Sequence, residues 1–362
     1  MIPLVKTNIP DQEKLMPELE KVLYSGYVAQ GEQVELFERA FEKYIGSGYS
    51  LSLNSGTAAL HVALILAGVK TGDEVISTAL TAEPTNVAIK MTGAKVRYAD
   101  IDYLTGSISP ESIEENINEK TKAIMVVDYA GIPVNVPKIQ YISKKYDIPV
   151  IHDAAHALGA KFNGLKTGNH FPYTVFSLQA IKHLTTVDGG MLQIQNKEEY
   201  EKAKLIRWFG IDKTKNRLEN NIQFQGYKYH MNNVNATIGL VQLKDIDSIV
   251  SQYIDNGKYF DQKLQNIPSI ELLKYYPDSE PSYWLYTLKV ENRDGFIKKL
   301  GENGIMASEL HKRNDLHDYL NDFHQQLPAL DKFYSKLVHI PCGWWATPED
   351  RKKIVETIKS GW

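Results

Sequence analysis

The amino-acid sequence predicts an α/β protein, with a large domain on a mostly parallel sheet followed by a smaller C-terminal α+β domain. From about residue 50 to 195, short β-rich runs alternate with helical segments, as in successive βαβ units. A long helical stretch then leads to a region with fewer strand signals and two further helices. The length of 362 residues also exceeds one average domain.

In chain order, EVIST from Glu74, KVRYADID from Lys95, KAIMVVDY from Lys122, PVIHDAA from Pro149, TVFSLQ from Thr174 and MLQIQ from Met191 read as strands. Helical patterns fall between several of them, one opening at Pro110 and Glu111 and one, PKIQYISKKYD, beginning at Pro137. Such a sheet gathers its ligands at the carboxyl ends of the strands. From residue 232 to about 265 the pattern is helical and leaves the large domain. YWLYTLKV from Tyr283, a helix around 296–300, GIMASELH from Gly304 and a last helix near 351–359 make the smaller domain. The domains are placed at residues 1–245 and 246–362. No internal repeat, low-complexity segment or charge block interrupts them.

Composition excludes several functions. A net charge of −3 gives no electrostatic case for nucleic acid or an anionic membrane as partner. The single cysteine, Cys342, allows neither an internal disulfide nor a thiolate metal cluster and fits a reducing, cytoplasmic setting. The start, MIPLVKTNIPDQEK, lacks the apolar core of a signal peptide. The most apolar stretch, residues 57–69, is too short to span a bilayer and contains His61.

Three segments carry chemistry. In NSGTAAL, Gly56 and Thr57 open a run of good helix formers. Unpaired N–H groups and the helix dipole there favour a phosphate, although an ordinary N-cap has the same composition. In VIHDAAH, Asp153 follows an apolar strand among small residues. A half-buried carboxylate needs a cationic partner, for which a protonated pyridine nitrogen is one candidate and a simple turn role the other. His152 and His156 do not read as a metal pair, since a strand end does not place both on one helical face and no glutamate follows the first. In FSLQAIKH, Lys182 stands where a strand runs out and DGG turns the chain back. Enclosed, its amine is more easily neutral and attacks an aldehyde; exposed, it merely snorkels. Ser177, five residues earlier, can reach the same phosphate. Their conjunction in one domain matches what pyridoxal phosphate needs: an anion site, an acid for the ring nitrogen and an amine for the aldehyde.

With SGYVAQGEQVELFERAF, NSGTAALHVAL, GDEVIST, HDAAHALGA, FSLQAIKHLTTVDGGM, GYKYHMNNVNATIGLVQL and LHKRNDLH, nearly the whole chain resembles the DegT-type nucleotide-sugar aminotransferases, a branch of the fold-type I, aspartate-aminotransferase-like enzymes. The resemblance implies that Lys182 is the Schiff-base lysine and Asp153 the pyridinium partner. His156 stands where many relatives carry glutamine beside the cofactor's phenolic oxygen, and Gly56, Thr57 and Ser177 at the phosphate positions. Lys228 falls where many members have an asparagine reaching the neighbouring subunit's phosphate, implying a homodimer with two shared sites. His311 matches a histidine near the sugar pocket. Tyr27 in the GYVAQG turn, Ala82 and Glu83 in the following loop, His183 and His230 are further expected substrate contacts. Ala82 replaces a common ring-stacking aromatic, Lys228 and His230 replace asparagine and arginine, and Val187 with Asp188 replaces the usual Gly-Glu. A sister group of sugar dehydratases has histidine at the position of Lys182, so lysine there implies amino transfer from an amino acid to a nucleotide-linked keto sugar. A pyridoxal-dependent dehydratase or lyase, and a non-catalytic member of the fold, are the alternatives.

Overall fold

A computed structural model describes residues 1–362. Seven strands build the main sheet: β1 (Tyr49–Leu53), β2 (Glu74–Ser77), β3 (Lys95–Tyr98), β4 (Thr121–Val127), β5 (Val150–Asp153), β6 (Tyr173–Ser177) and β7 (Gly190–Ile194). Their spatial order is β1-β7-β6-β5-β4-β2-β3. All run parallel except β7, which pairs antiparallel with β1 on one side and β6 on the other. Every residue of β2 and β5 is buried, as expected of parallel strands covered on both faces.

The connecting helices are α1 (Gln12–Leu23), α2 (Glu32–Ile45), α3 (Gly56–Leu66), α4 (Glu83–Met91), α5 (Pro110–Asn116), α6 (Val136–Tyr146) and α7 (Lys197–Arg207). Two features of sequence set how α3 and α4 begin. Ser55, in extended backbone, caps α3 by accepting the N–H of Ala58 at 3.0 Å. Pro84 sits in the first turn of α4, where its missing N–H costs nothing. Residues Ala58 to Leu64 of α3 are all buried, because this helix is apolar on every face and packs inside the molecule.

The single long helical pattern expected between 232 and 265 is two helices, α8 (Asn233–Leu243) and α9 (Ile246–Lys263), separated by a turn at Lys244 and Asp245. Periodicity runs through such a turn unbroken, since both helices bury an apolar face against the same core. Beyond them, β8 (Ile270–Leu272), β9 (Tyr286–Val290) and β10 (Leu337–Ile340) form an antiparallel sheet in the order β8-β9-β10, with α10 (Arg293–Glu302), α11 (Pro328–Tyr334) and α12 (Pro348–Lys359). GIMASELH makes only isolated bridges, Ile305 to Ile2 and Ser308 to His339. The chain therefore begins against its own C-terminal part, with the Ile2 N–H donated to the Gly304 carbonyl at 2.7 Å. One apolar cluster of 74 buried residues includes Leu51 of the first sheet and Leu288 of the second, so the two sheets share a continuous core.

The outer edge of the main sheet is β3, and side chains from residues 322–325 occupy it. The Asp322 carboxylate accepts the Val96 N–H at 2.8 Å and pairs with Lys90 at 2.6 Å. The Gln325 amide accepts the Tyr98 N–H at 2.7 Å and donates to the Tyr98 carbonyl at 2.8 Å.

Candidate active site

The carboxyl ends of β5 and β6 and the start of α3 open into one cavity of about 410 Å³. Ser55, Gly56, Thr57, Asp153, His156, Ser177, Lys182, Trp284 and His311 line it, with Ala82, Glu83 and Thr85 from the start of α4. This is where a parallel sheet collects its ligands.

One end is an anion cradle. Gly56 and Thr57 lie in the first turn of α3, where no carbonyl four residues back is available to their N–H groups. A Cβ on Gly56 would sit 3.2 Å from the Cβ of Ser177, so the glycine lets the two segments close on each other. Directly opposite Ser177 on β7, a Cβ on Gly190 would lie 2.3 Å from the Ser55 carbonyl oxygen, which leaves room only for glycine.

Asp153, at the end of β5, is 3% exposed. Burial raises its pKa, and the Thr85 hydroxyl at 2.7 Å, the Ala155 N–H at 3.0 Å and the nearby Lys182 oppose that rise. Thr85 is itself hydrogen-bonded to Thr81 at 2.8 Å, which orients the hydroxyl. The Lys182 side chain lines the same cavity. Burial lowers its pKa to about 7, against the pull of the Asp153 carboxylate. At neutral pH much of this amine is therefore an uncharged nucleophile.

The sequence reading missed Trp284. It is the only Phe, Tyr or Trp on the cavity wall, and its indole lies 3.9 Å from Lys182 Nζ. The same ring stacks on His156 with centroids 3.9 Å apart, and its Nε1–H donates to the Ile181 carbonyl at 2.9 Å. In the run YWLYTLKV an aromatic reads as core, and nothing local ties it to a lysine about a hundred residues earlier. His156 is held on its other edge by the Ala130 N–H, which donates to Nδ1 at 3.3 Å and so leaves the ring proton on Nε2. Ala130 adopts a positive φ of 55°, a strained conformation for a residue with a Cβ. Burial, with Lys182 nearby, holds the His156 pKa well below its usual value, so the ring is neutral.

Several expected residues lie elsewhere. His183 does not face the cavity. Its ring packs on Tyr253 with centroids 4.5 Å apart, its Nε2 meets the Ser282 carbonyl at 3.2 Å, and burial lowers its pKa to about 4. The chain turns at Gln179–Lys182, where the Lys182 N–H is donated to the Gln179 carbonyl at 3.0 Å, and leaves Lys182 on the cavity wall while His183 enters the core. Tyr27 is 76% exposed and away from the cavity. Lys228 is exposed beside Trp208, and His230 packs edge-on to Trp208 at 4.3 Å. Neither reaches the cavity of its own chain. Ala82 does line it, with no aromatic at that point.

Residues 10–359 match the model of the DegT/DnrJ/EryC1/StrS aminotransferase family. The chain belongs to this family. A UDP-4-amino-4,6-dideoxy-N-acetyl-beta-L-altrosamine transaminase of Campylobacter jejuni is 31% identical over 356 residues, 94% of this chain and 93% of that protein. The sugar aminotransferase CalS13 of Micromonospora echinospora superposes with a TM-score of 0.96 at 35% identity, covering 100% of both chains. Spr1654 of Streptococcus pneumoniae, a putative sugar aminotransferase solved in a PLP form, superposes at 0.92 with 27% identity, over 99% of this chain and 98% of that one. The fold is thus that of the fold-type I sugar aminotransferases, whose cofactor is pyridoxal phosphate. The cavity fits that cofactor. The glycine-lined cradle suits its phosphate, the buried Asp153 carboxylate suits a protonated ring nitrogen, and the desolvated Lys182 amine suits its aldehyde. No helix of the chain is long and apolar enough to cross a membrane.

Proposed function

We propose that this member of the family moves an amino group from an amino acid, L-glutamate by family analogy, to a nucleotide-linked keto sugar of the 4-keto-6-deoxy type. The observation that carries the reading is the meeting of Lys182, Asp153 and the Gly56–Ser177 approach in one cavity, although they come from three separate segments. In this reading Gly56, Thr57 and Ser177 hold the phosphate of pyridoxal phosphate, and Asp153, kept in place by Thr85 and the Ala155 N–H, holds its ring nitrogen. Bound there, the cofactor supplies an aldehyde and a ring that accepts electrons from the substrate carbon. Lys182 Nζ, neutral near pH 7, takes the proton from the donor's α-carbon and returns one to the sugar carbon that receives nitrogen. Its tether keeps the amine within reach in both halves of the reaction. His156, neutral and with its proton on Nε2, donates a hydrogen bond and no charge.

The functional unit in this reading is a cytoplasmic homodimer, with Lys228 and His230 of each copy directed to the other's site. The exposure of Lys228, and the place of both residues beside Trp208 and outside their own cavity, support that assignment. The large domain, residues 1–245, carries the cofactor, and residues 246–362 form the smaller domain that brings Trp284 and His311 over it.

The test has two arms. With glutamate alone, the visible band of the reconstituted wild type is expected to disappear as its cofactor takes the amine. Nucleotide-linked 4-keto-6-deoxy sugars then yield amino sugars detectable by mass spectrometry. Failure of borohydride to attach the cofactor to Lys182, or failure of every common amino donor, overturns the reading.

A further inference from the structure

Trp284 meets Lys182 at two points. Its indole lies 3.9 Å from Lys182 Nζ, and its Nε1–H is donated at 2.9 Å to the Ile181 carbonyl, on the peptide bond that leads into Lys182. One side chain thus touches both the tip of the lysine and the backbone at its root. The two Asp153 oxygens meanwhile accept from Thr85 and the Ala155 N–H.

The indole is held in place from behind. Trp284 is 1% exposed, and its segment is tied to the turn Tyr129–Gly131 of the large domain. Ser282 donates its N–H to the Gly131 carbonyl at 2.9 Å, and Leu285 donates to the Ala130 carbonyl at 3.4 Å. The strained backbone of Ala130 has a use here. With φ at 55° its N–H reaches His156 Nδ1 while its carbonyl receives Leu285, so one turn places both the imidazole and the indole stacked on it. Gly131 follows with φ at 90°, and a Cβ there would lie 2.9 Å from the Trp284 backbone nitrogen. The indole is therefore a fixed surface against which a long, flexible lysine rests.

Such a surface suits one state of the lysine. When Nζ takes the proton from the donor's α-carbon, the C–H electron pair stays with the carbon and the amine becomes an ammonium. That ammonium has to be stabilised without surrendering its proton to a neighbour. A carboxylate in contact can accept the proton, whereas the face of an indole attracts the charge and offers the proton no site. Building on the amino-transfer reading above, we propose that Trp284 is the positioning residue for proton transfer by Lys182, its indole holding the lysine as an ammonium between taking the proton and returning it. The other ionisable groups around the amine are Asp153, His156, His183 and His311, with Glu83 and Asp188 further along the cavity wall. Burial holds all three imidazoles below their usual pKa, so none competes for the proton at neutral pH.

The experiment compares wild type with Trp284→Phe, which keeps an aromatic face, and Trp284→Leu, which keeps bulk without one. In the apoprotein, competitive acetylation of the Lys182 peptide is expected to show an inflection about one pH unit lower in Trp284→Leu than in wild type, with Trp284→Phe between them. In the holoenzyme, single-turnover bleaching of the visible band by glutamate is expected to slow about tenfold in Trp284→Leu and no more than about threefold in Trp284→Phe, while the glutamate concentration giving half the maximal rate changes less than about twofold. With α-deuterated glutamate the slowed step is expected to show a primary isotope effect. A residue that only fills space alters cofactor retention or glutamate binding and leaves the titration where it was. An inflection in Trp284→Leu at or above that of wild type, or bleaching by Trp284→Leu that matches Trp284→Phe or is slowed without an isotope effect, overturns the positioning role and leaves amino transfer standing. If the wild-type band persists with every amino donor, the amino-transfer reading itself fails, and the role of Trp284 with it.

Discussion

The amine of Lys182 is expected to titrate near pH 7 in the cofactor-free protein, where an ordinary lysine titrates at 10.5. The consequence is large. At pH 7 about one exposed lysine in three thousand is neutral, whereas about half of the Lys182 amines are, a gain of roughly a thousandfold in nucleophile. Burial causes the shift, and Asp153 is the group that resists it. Asp153→Asn removes that carboxylate and is expected to move the titration further below 7. Competitive acetylation of the apoprotein between pH 5 and 11, with the Lys182 peptide followed by mass spectrometry, reads the inflection directly. An inflection near 10 in the wild type refutes the reasoning from burial, and an upward move in Asp153→Asn refutes the assignment of the counter-charge.

The same shift has a consequence for stability. Because the folded pKa lies below the unfolded one, the unfolded chain binds the extra proton between about pH 7 and 10.5, so this group's contribution to apoprotein stability rises with pH across that window; urea unfolding of wild type and Lys182→Met at several pH values checks the sign. Gly190→Ala forces a Cβ to 2.3 Å from the Ser55 carbonyl oxygen and is expected to destabilise the fold by more than about 2 kcal/mol and to weaken retention of pyridoxal phosphate, measured by thermal melting and dialysis. Trp284→Phe keeps a ring against His156 but loses the 2.9 Å bond to the Ile181 carbonyl, at a cost of about 1 kcal/mol, whereas Trp284→Ala also leaves a cavity and costs about 3–5 kcal/mol in urea unfolding.

The parts of the site that lay in short local patterns were legible in the amino-acid sequence. Asp153 and Lys182 each follow a strand that announces itself, Gly56 opens a run of helix formers, and the sheet topology then brings the three together. Contacts between distant segments were not legible. Trp284 reaches Lys182 from the entrance to β9, and Thr85 reaches Asp153 from α4, and in neither case does anything nearby in sequence name the partner. His183 was misplaced for the opposite reason, since adjacency to Lys182 suggested shared surroundings where the backbone sends the two to opposite sides. The break between α8 and α9 was invisible to periodicity because both helices keep an apolar face toward one core.

The stretch from His311 to Gln325 serves two masters. Its first residues stand beside Glu83, while Asp322 and Gln325 occupy the N–H and C=O groups of β3 that would otherwise recruit a strand from another molecule. Exchanging this stretch for that of a relative, in order to change which sugar is accepted, would therefore strip the sheet of its edge guard. Grafts that keep Asp322 and Gln325 should stay monodisperse, and grafts that lose them should clump even when the new loop suits its substrate.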